Sequence, residues 1–436
     1  MWRKILPVVV ALVVFTLTLR VTVFNLPQRI ALGILGIAVI LWVTEVIPLY
    51  VTSFIILLLT TTVLARSLQM EFKPFLHAFF SPILLLFLGG FVLARAMHVY
   101  EVEELIANTI LRHVGKRPYP VLLGFMVTTA FLSMWMSNTA STALMLAVAL
   151  PVIKHAKEFS KSIVLGIPFA ASIGGMCTPI GTPPNAIAIA ALREAGYPVL
   201  FIEWMARSLP VGLLGIFITS VVLYTFYRPT ITEIPVTIKR ISIERNGKFT
   251  LAVLILTIVL WLTTRLHGVS SHIVALIPVM IFFGTGLLKR DDFRNLEWDI
   301  LMLMGGGLAL GEAIRVTGLG TRIVELLGIG NFSPFMVLVT FLIITTVLSN
   351  FMSNTSATAV IIPLAMACTG LLPILPIAIA LAASTAMSLP ISTPPNAIAY
   401  GSGYIKIKDM AVAGTLIGVF ILIIIGISAM SWWRLF

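Results

Sequence analysis

The sequence predicts an all-α polytopic membrane protein of about 11 transmembrane helices in two inverted repeats. Of its 436 residues, 59% are hydrophobic and 11% are charged, whereas a soluble domain has about 25% charged residues. The apolar residues form many long runs, and three polar motifs each occur twice in the same order. This composition excludes a soluble enzyme, a disordered chain and a fibrous protein.

The predicted spans are the apolar stretches that reach the length a bilayer requires, about 20 helical residues. The first span belongs to an extra N-terminal helix, residues 1–27. Its basic start resembles a signal peptide, but no convincing cleavage site follows, so we expect the helix to remain. The spans are 5–25, 28–46, 47–66, 78–98, 162–195 (interrupted), 201–227, 249–266, 269–288, 298–315, 375–404 (interrupted) and 410–433.

Two further apolar segments, 119–153 and 333–369, contain polar breaks and are predicted to be re-entrant hairpins. Basic clusters flank both ends of the first segment, whereas its centre at Ser137 carries no charge. A hairpin that enters and leaves on the cytoplasmic side explains this distribution better than two full crossings. By inversion, the second hairpin is expected to enter from outside.

The segment Glu101–Val114 differs from the spans because acidic residues alternate with apolar ones. The spacing predicts a helix with a single apolar stripe, lying in the membrane interface. Residues Leu319–Leu327 form a similar but less charged segment.

The chain repeats itself in three polar motifs. A glycine-containing stretch at 86–94 matches 303–311, Ser-Asn-Thr at 137–139 matches 353–355, and Thr-Pro-Pro-Asn at 182–185 matches 393–396. The order and nearly equal spacing indicate an internal duplication: repeat 1 at 28–228, a cytoplasmic linker at 229–248 and repeat 2 at 249–436. Five crossings separate the two glycine-containing spans, and an odd number inverts the second copy.

We attribute the net charge of +12 to the basic residues that fix membrane topology, and not to a nucleic-acid site. With the N-terminus in the cytoplasm, most lysines and arginines fall in inner loops, as the positive-inside rule requires. The C-terminus is then outside. The chain is expected in a bacterial or archaeal inner (plasma) membrane.

The Ser-Asn-Thr motifs lie between two apolar limbs, where such residues favour caps and turns. At a hairpin tip they would begin a new helix, with side-chain oxygens and backbone amides facing one point. The alternative is that they only hold neighbouring helices together. Their duplication at matching positions favours a functional site.

The Thr-Pro-Pro-Asn motifs break their spans, because two consecutive prolines remove two amide donors. Broken backbone at membrane depth is tolerated within protein or beside an aqueous cavity. Its free carbonyls bind cations, and helix N-termini bind anions. The alternative is a pair of structural kinks, which would not explain why the kinks duplicate beside the duplicated Ser-Asn-Thr motifs.

No lysine or arginine lies beside these four motifs. An anionic substrate would therefore be bound by hydroxyls, amides and helix ends, with bound cations neutralising its charge. Each ligand would then raise the affinity of the other, which is the physical basis of symport. No ATP-binding loop or HExxH pattern is present. Glu45 and Glu312 are candidate proton carriers, although their positions near span ends favour a structural role.

The paired Ser-Asn-Thr and Thr-Pro-Pro-Asn motifs resemble those of the divalent anion–sodium symporter family, over nearly the whole chain from the second span onward. The resemblance implies a homodimer working by an elevator motion, without an organic cofactor and with at least two Na⁺ sites. By motif, it implies a first sodium site of Ser133, Ser137, Asn138 and Gly181 and a second of Ser349, Met352, Asn354 and Ser392. The implied substrate-binding residues are Asn138, Thr139, Thr182, Pro183, Asn354, Thr355, Thr393 and Pro394.

The resulting hypothesis is sodium-coupled import of C4-dicarboxylates such as succinate, malate or fumarate. Three alternatives stay within transport: a sodium-independent dicarboxylate exchanger, a proton-coupled carrier, and a symporter for citrate or sulfate. An intramembrane enzyme would require a nucleophile–base pair or a metal cluster, and the sequence shows neither. The expected partners are the anion, sodium ions, the bilayer and a second copy of the chain, and not nucleic acid.

Overall fold

The computed structural model describes residues 2–234 and 242–435, and no β-strand occurs in these two ranges. The predicted all-helical fold is confirmed. Eight helices within the described ranges are long and apolar enough to cross a membrane. Residues 235–241 of the predicted linker 229–248 lie outside the described residues.

The first half of the chain forms helices that follow the predicted spans, except that the first helix ends at Thr18 and not near residue 25. The second of them, α2, begins at a reciprocal cap: Gln28 N donates to Asn25 Oδ1 and Asn25 N donates to Gln28 Oε1. The helices are α1 (Trp2–Thr18), α2 (Leu26–Thr44), α3 (Leu49–Leu59), α4 (Lys73–Phe79), α5 (Ile83–Val99), α6 (Val102–Leu111), α7 (Pro118–Ser133), α8 (Asn138–His155), α9 (Ser160–Gly175), α10 (Pro183–Glu194) and α11 (Phe201–Phe226). A π-helical segment, Thr60–Leu64, extends α3 to Ser67.

The second half contains short helical segments at Thr264–His267, Ser271–Val274 and Arg290–Arg294 and the following longer helices. They are α12 (Arg245–Leu262), α13 (Leu276–Gly284), α14 (Trp298–Thr317), α15 (Leu319–Leu326), α16 (Pro334–Phe351), α17 (Asn354–Ala365), α18 (Ile374–Ala383), α19 (Pro394–Gly401) and α20 (Ile407–Met430).

The order of helices is the same in both halves. Helices α5 to α11 and α14 to α20 each run as a long helix, a short helix, two helices joined at Ser-Asn-Thr, two helices separated at Thr-Pro-Pro, and a long helix. This order supports the duplication that the motifs predict. The opposite orientation of the copies, the re-entrant course of the hairpins and the interfacial position of α6 stay predictions.

One compact unit, unit 1, comprises Met1–Leu84, Pro183–Val199 and Glu297–Ala383. Its centre is α14, which packs against α3, α4, α10 and α17. Glycine allows these close approaches: a methyl group on Gly306 would overlap Ser53 of α3, and one on Gly307 would overlap Ala359 of α17.

The other compact unit, unit 2, comprises Leu85–Thr182, Leu200–Leu296 and Ser384–Phe436. Its centre is α9, which packs against α7, α8, α11 and α19. Every residue from Ser162 to Gly175 on this helix is buried. Gly174 lies directly against the backbone of Ala130, so that α9 supports the arm of the hairpin leading to its tip.

Candidate functional site

The first hairpin turns at the residues between α7 and α8, in unit 2. Ser137 is extended (φ −63°, ψ 143°) and caps α8, its hydroxyl accepting a hydrogen bond from Ala140 N. The buried Ser133 hydroxyl donates to Asn138 Oδ1 at 2.5 Å. Ser137, Asn138 and Thr139 are half-buried. The tip thus groups hydroxyl and amide oxygens beside the N-terminus of a long helix.

The loop between α9 and α10, residues 176–182, is joined to this tip by a hydrogen bond. Thr178 Oγ1 donates to the Met134 carbonyl at 2.6 Å, and Gly181 N donates to Thr178 Oγ1 at 3.1 Å. A methyl group on Gly175, which ends α9, would overlap Asn138 Oδ1, and one on Gly181 would overlap the Gly175 carbonyl. These contacts bring the residues of the first predicted sodium site into one part of unit 2.

The second hairpin repeats this geometry in unit 1. Ser353 is extended (φ −60°, ψ 144°) and caps α17, accepting from Ser356 N at 3.1 Å. Ser349 Oγ lies 2.7 Å from Asn354 Oδ1 and 3.1 Å from the Ala383 carbonyl. Met352, buried and extended (φ −140°, ψ 168°), separates the two helices. Ser349, Met352 and Asn354 of the second predicted sodium site therefore lie together.

The loop between α18 and α19, residues 384–393, belongs to unit 2. Ser392, the fourth residue of the second predicted sodium site, lies here, in a different unit from the other three. Its hydroxyl donates to the Leu389 carbonyl at 2.6 Å. Asn396 Nδ2 donates to Ser392 Oγ and to the Leu389 carbonyl, both at 3.1 Å. Asn396 Oδ1 is buried without a hydrogen-bond partner in the described residues.

The predicted substrate-binding threonines and prolines divide between the units. Thr182 and Thr393, each buried, end the two loops within unit 2, and Thr355 is buried at the start of α17 in unit 1. Pro183 begins α10 in unit 1, and Pro394 begins α19 in unit 2. Each proline occupies the first helical position, where its missing N–H costs no hydrogen bond.

The helices that follow the motifs pack crosswise between the repeats. Within unit 1, α10 of repeat 1 packs against α17 of repeat 2. Within unit 2, α19 of repeat 2 packs against α8 of repeat 1. Each unit therefore combines a helix that begins at Ser-Asn-Thr in one repeat with a helix that begins at Thr-Pro-Pro-Asn in the other.

The chemistry available at these motifs is that of neutral oxygens and helix N-termini. Hydroxyl, amide and carbonyl oxygens are ligands for hard cations. The unpaired N–H groups and the dipole of a helix N-terminus favour an anion. The motifs contain no ionisable side chain. The arrangement is suited to binding ions and not to acid–base or nucleophilic chemistry.

Three residues near the tips were missed as individual candidates. Asn396 could have been predicted, because it lies in the duplicated Thr-Pro-Pro-Asn motif. Its side chain donates a hydrogen bond to Ser392. Thr178 could not have been predicted from the sequence, because its hydrogen bond to Met134 joins two segments far apart in the chain. Trp135 could not have been predicted either, because nothing in the sequence links it to the aromatic residues that cover it.

Trp135 begins an aromatic stack that anchors the first tip within unit 2. Its ring lies parallel to that of Phe201 on α11, at 6.4 Å between centroids, and Phe201 stacks on Trp261 of α12 at 5.0 Å. Trp261 is itself fixed by its indole N–H, which donates to the Ser271 carbonyl at 2.9 Å. Trp135 Nε1 is buried without a hydrogen-bond partner in the described residues.

We expect Trp135→Ala to raise the sodium concentration needed to half-fill the first predicted sodium site by roughly fivefold, because the stacked pair contributes about 1 kcal/mol beyond its buried area. Trp135→Phe, which keeps the stack, should stay near the wild type. Phe217→Ala, which removes an exposed ring from the same helix as Phe201, is the control. Unchanged sodium dependence in Trp135→Ala would show that the stack does not position the tip.

The two candidate proton carriers lie at helix ends in unit 1. Glu45 is exposed and caps the C-terminus of α2 in the left-handed conformation (φ 47°). Glu312 is buried in the last two turns of α14 and accepts from Arg315 Nε and Nη2 at 2.7 and 2.6 Å. Neither belongs to a hairpin tip.

Comparison with known proteins gives relatives along nearly the whole chain. An uncharacterized transporter of Schizosaccharomyces pombe is 33% identical over 96% of this chain, which spans 52% of that relative's length. An uncharacterized transporter of Haemophilus influenzae is 30% identical over 97% of this chain and 95% of its own length. The sodium-dependent dicarboxylate transporter SdcS of Staphylococcus aureus strain USA300 is 32% identical, covering 88% of this chain and 82% of its own. The homologues are transporters, not enzymes, as the sequence predicts.

A solved structure and a family profile complete the comparison. The YdaH transporter of Alcanivorax borkumensis, reported to have an unusual topology, aligns with a TM-score of 0.58 at 14% identity, over 85% of this chain and 90% of its own. That likeness concerns the fold alone and agrees with the predicted polytopic helical architecture. The profile of the citrate transporter family, CitMHS, matches residues 39–383. This match and the dicarboxylate-transporting relatives confirm the resemblance to divalent anion–sodium symporters, and the chain belongs to the citrate transporter family.

Proposed function

We propose that this membrane transporter imports C4-dicarboxylates such as succinate, malate or fumarate together with sodium. The observation that carries the proposal is the Ser–Asn oxygen pair at each tip, Ser133–Asn138 and Ser349–Asn354, beside a helix N-terminus and without a basic residue. A sodium-dependent dicarboxylate transporter among the relatives supports the choice of both ligands.

The first tip supplies one set of ligands in this proposal. Ser133, Ser137 and Asn138 contribute side-chain oxygens to a sodium ion, and Gly181 contributes its carbonyl. Asn138, Thr139 and Thr182 bind a substrate carboxylate, and Pro183 shapes the loop. Since the carboxylate meets no arginine or lysine in these motifs, the ion must supply the opposing charge.

The second tip supplies the other set. Ser349 and Asn354 contribute side-chain oxygens to a second sodium ion, and Met352 contributes its carbonyl. The carbonyl of Ser392 is the fourth proposed ligand. Asn354, Thr355 and Thr393 bind substrate, and Pro394 shapes the second loop. Both sites are formed by neutral oxygens, so each anion bound favours the cations and each cation favours the anion.

The transporter is a homodimer in a bacterial or archaeal plasma membrane, with its N-terminus in the cytoplasm and its C-terminus outside. Substrate crosses by an elevator-type alternation of access, in the inverted-repeat architecture of secondary transporters. The excess of basic residues in the predicted inner loops supports the orientation.

Labelled succinate uptake into proteoliposomes tests the function directly. An inward sodium gradient is compared with an equal potassium gradient, and we expect concentrative uptake with sodium only. Uptake without sodium that requires a dicarboxylate inside the vesicles would instead show an exchanger. Citrate is the second candidate substrate, because the matching family is that of citrate transporters. Sodium-driven flux of citrate or sulfate but not of succinate would change the assigned anion.

A further inference from the structure

A charged cavity lies within unit 1, and none of its lining residues belongs to a hairpin tip. It has a volume of about 450 Å³ and is lined by residues of α4, α10 and α14, among them His77, Arg193, Glu194, Glu312 and Arg315. A second cavity of about 140 Å³ shares Glu194 and Arg315 and is otherwise mostly apolar, with Ala191, Ala195, Gly311 and Ile314 among its lining residues. Glu194 thus faces both spaces.

The two carboxylates of this cavity differ in their pairing. Glu312 is 6% exposed, and both of its oxygens accept from the Arg315 guanidinium. Glu194 is exposed to the cavity and makes no ion pair in the described residues, although it lies within electrostatic reach of Glu312 and Arg315. With both acids ionised, Glu194, Glu312 and Arg315 together carry one net negative charge. One proton neutralises the group.

The position of Glu194 at the end of a helix makes its negative charge still less favourable. It is the last residue of α10, where unpaired carbonyls and the helix dipole are unfavourable to an anion. Arg193, the preceding residue, also lines the larger cavity. Among the described residues that line the smaller cavity, Glu194 and Arg315 are the only charged ones, and Arg315 is already paired with Glu312.

Among the described residues, the other elements packed in this region bring no cation without a hydrogen-bond or ion-pair partner toward Glu194. Helices α17 and α18 contain no charged residue at all. On α4, Lys73 pairs with Glu71 at 2.9 Å, and His77 lines the larger cavity. On α15, Arg322 pairs with Glu325 at 3.2 Å, and Arg29 of α2 donates to the Phe24 and Leu19 carbonyls.

The two cavities lie at the C-terminal ends of helices that begin at the Ser-Asn-Thr and Thr-Pro-Pro-Asn motifs. Helix α10 begins at Pro183, and its final residue, Glu194, lines both cavities. Helix α17 begins at Asn354, and its late residues Ile362 and Pro363 line the smaller cavity. Glu194 therefore lies where α10 packs against α14 and α17, so a change in its charge would alter this packing and, through α10 and α17, the motif residues at their N-termini.

We propose that Glu194, beside the Glu312–Arg315 ion pair, is a proton-binding site that tunes the transport rate by changing how α10 packs in unit 1. A metal ion is a poor occupant, because it requires several converging oxygen ligands, whereas the smaller cavity offers mainly alanine, glycine and isoleucine around Glu194. This site goes beyond the proposed function and uses none of the residues assigned to sodium or substrate.

Glu194→Gln imitates the protonated carboxyl and is the test variant. Transport by the variant and the wild type is compared between about pH 5.5 and about pH 8.5 as a ratio of rates, which cancels the titration of the substrate itself. We expect the ratio to be near one at the acid end and to depart from one by at least about threefold at the alkaline end, because only wild-type Glu194 loses its proton. Glu325→Gln, an exposed glutamate in the same unit, should give a constant ratio.

Infrared difference spectra between acid and alkaline pH provide a readout that does not require transport. We expect a protonated carboxyl band in the wild-type and Glu325→Gln proteins that is lost in Glu194→Gln. A band that responds to sodium concentration rather than to pH would overturn the proton assignment. An unchanged band in Glu194→Gln together with a constant rate ratio would overturn the proposal as a whole. If succinate is not transported, the proposed function fails while the spectra still decide whether Glu194 binds a proton.

Discussion

Asn138→Ala and Asn354→Ala, made separately, should each reduce sodium-driven uptake by roughly tenfold or more, because each removes an amide oxygen that is a proposed ion ligand. In Asn138→Ala the buried Ser133 hydroxyl also loses its bond to Asn138, at about 1–3 kcal/mol. In Asn354→Ala, by contrast, the Ser349 hydroxyl keeps the Ala383 carbonyl as its acceptor. Ser133 donates to Asn138 at 2.5 Å, and Ser349 lies 2.7 Å from Asn354. The loss of an ion ligand adds to this cost. Initial rates of succinate uptake over a range of sodium concentrations measure the effect.

A matched control comes from an asparagine outside the motifs. Asn108 of α6 is buried and donates to the Glu104 carbonyl at 2.8 Å, so Asn108→Ala loses a hydrogen bond of similar burial without touching a tip. We expect this variant to transport at near the wild-type rate. Normal sodium-driven uptake in both Asn138→Ala and Asn354→Ala would contradict the assignment of the tips as binding sites.

The sequence predicts the helices and the breaks between them because their causes are local. Two prolines begin α10 and α19 after interrupted spans, and serine caps α8 and α17 where the Ser-Asn-Thr motifs predicted new helices. The helix at Val102–Leu111 likewise falls within the amphipathic segment Glu101–Val114. In each case the signal lies within a few residues of the feature that it predicts.

Contacts between distant segments were not predictable in the same way. The crosswise packing of α10 on α17 and of α19 on α8 joins one repeat to the other, and a duplication by itself is equally compatible with contacts within each repeat. The stack of Trp135 on Phe201 and Trp261 depends on which face of each helix is covered. A single sequence contains no signal for these choices.

The acid that faces the charged cavity was likewise not predictable from the sequence. Glu312 was a candidate from sequence because it lies near the end of an apolar span, but the acid that faces the cavity without an ion pair is Glu194, at the end of a helix 12 residues long. Its closeness to Glu312 arises because α10 and α14 pack together in unit 1. Pairing between acids on different helices follows from packing and not from spacing along the chain.

Gly175→Ala should abolish or strongly weaken sodium-dependent uptake even though it leaves every proposed ligand in place. The added methyl group would overlap Asn138 Oδ1, and relieving such a contact in a packed site costs about 1–3 kcal/mol. The tip must move, because every residue of α9 from Ser162 to Gly175 is buried. The measurement is the sodium concentration for half-maximal uptake, which should rise by roughly tenfold or more.

Gly90→Ala separates this effect from a general intolerance of larger residues in unit 2. A methyl group there would meet Ile180 at 3.5 Å, an ordinary van der Waals distance. Since alanine favours a helix by about 1 kcal/mol over glycine, Gly90→Ala should fold at least as stably as the wild type and transport at a similar rate. Gly175→Ala should also be recovered as folded protein, with its defect confined to sodium dependence. Equal sodium dependence in the two variants would mean that Asn138 does not bind the ion in the position that the structure gives it.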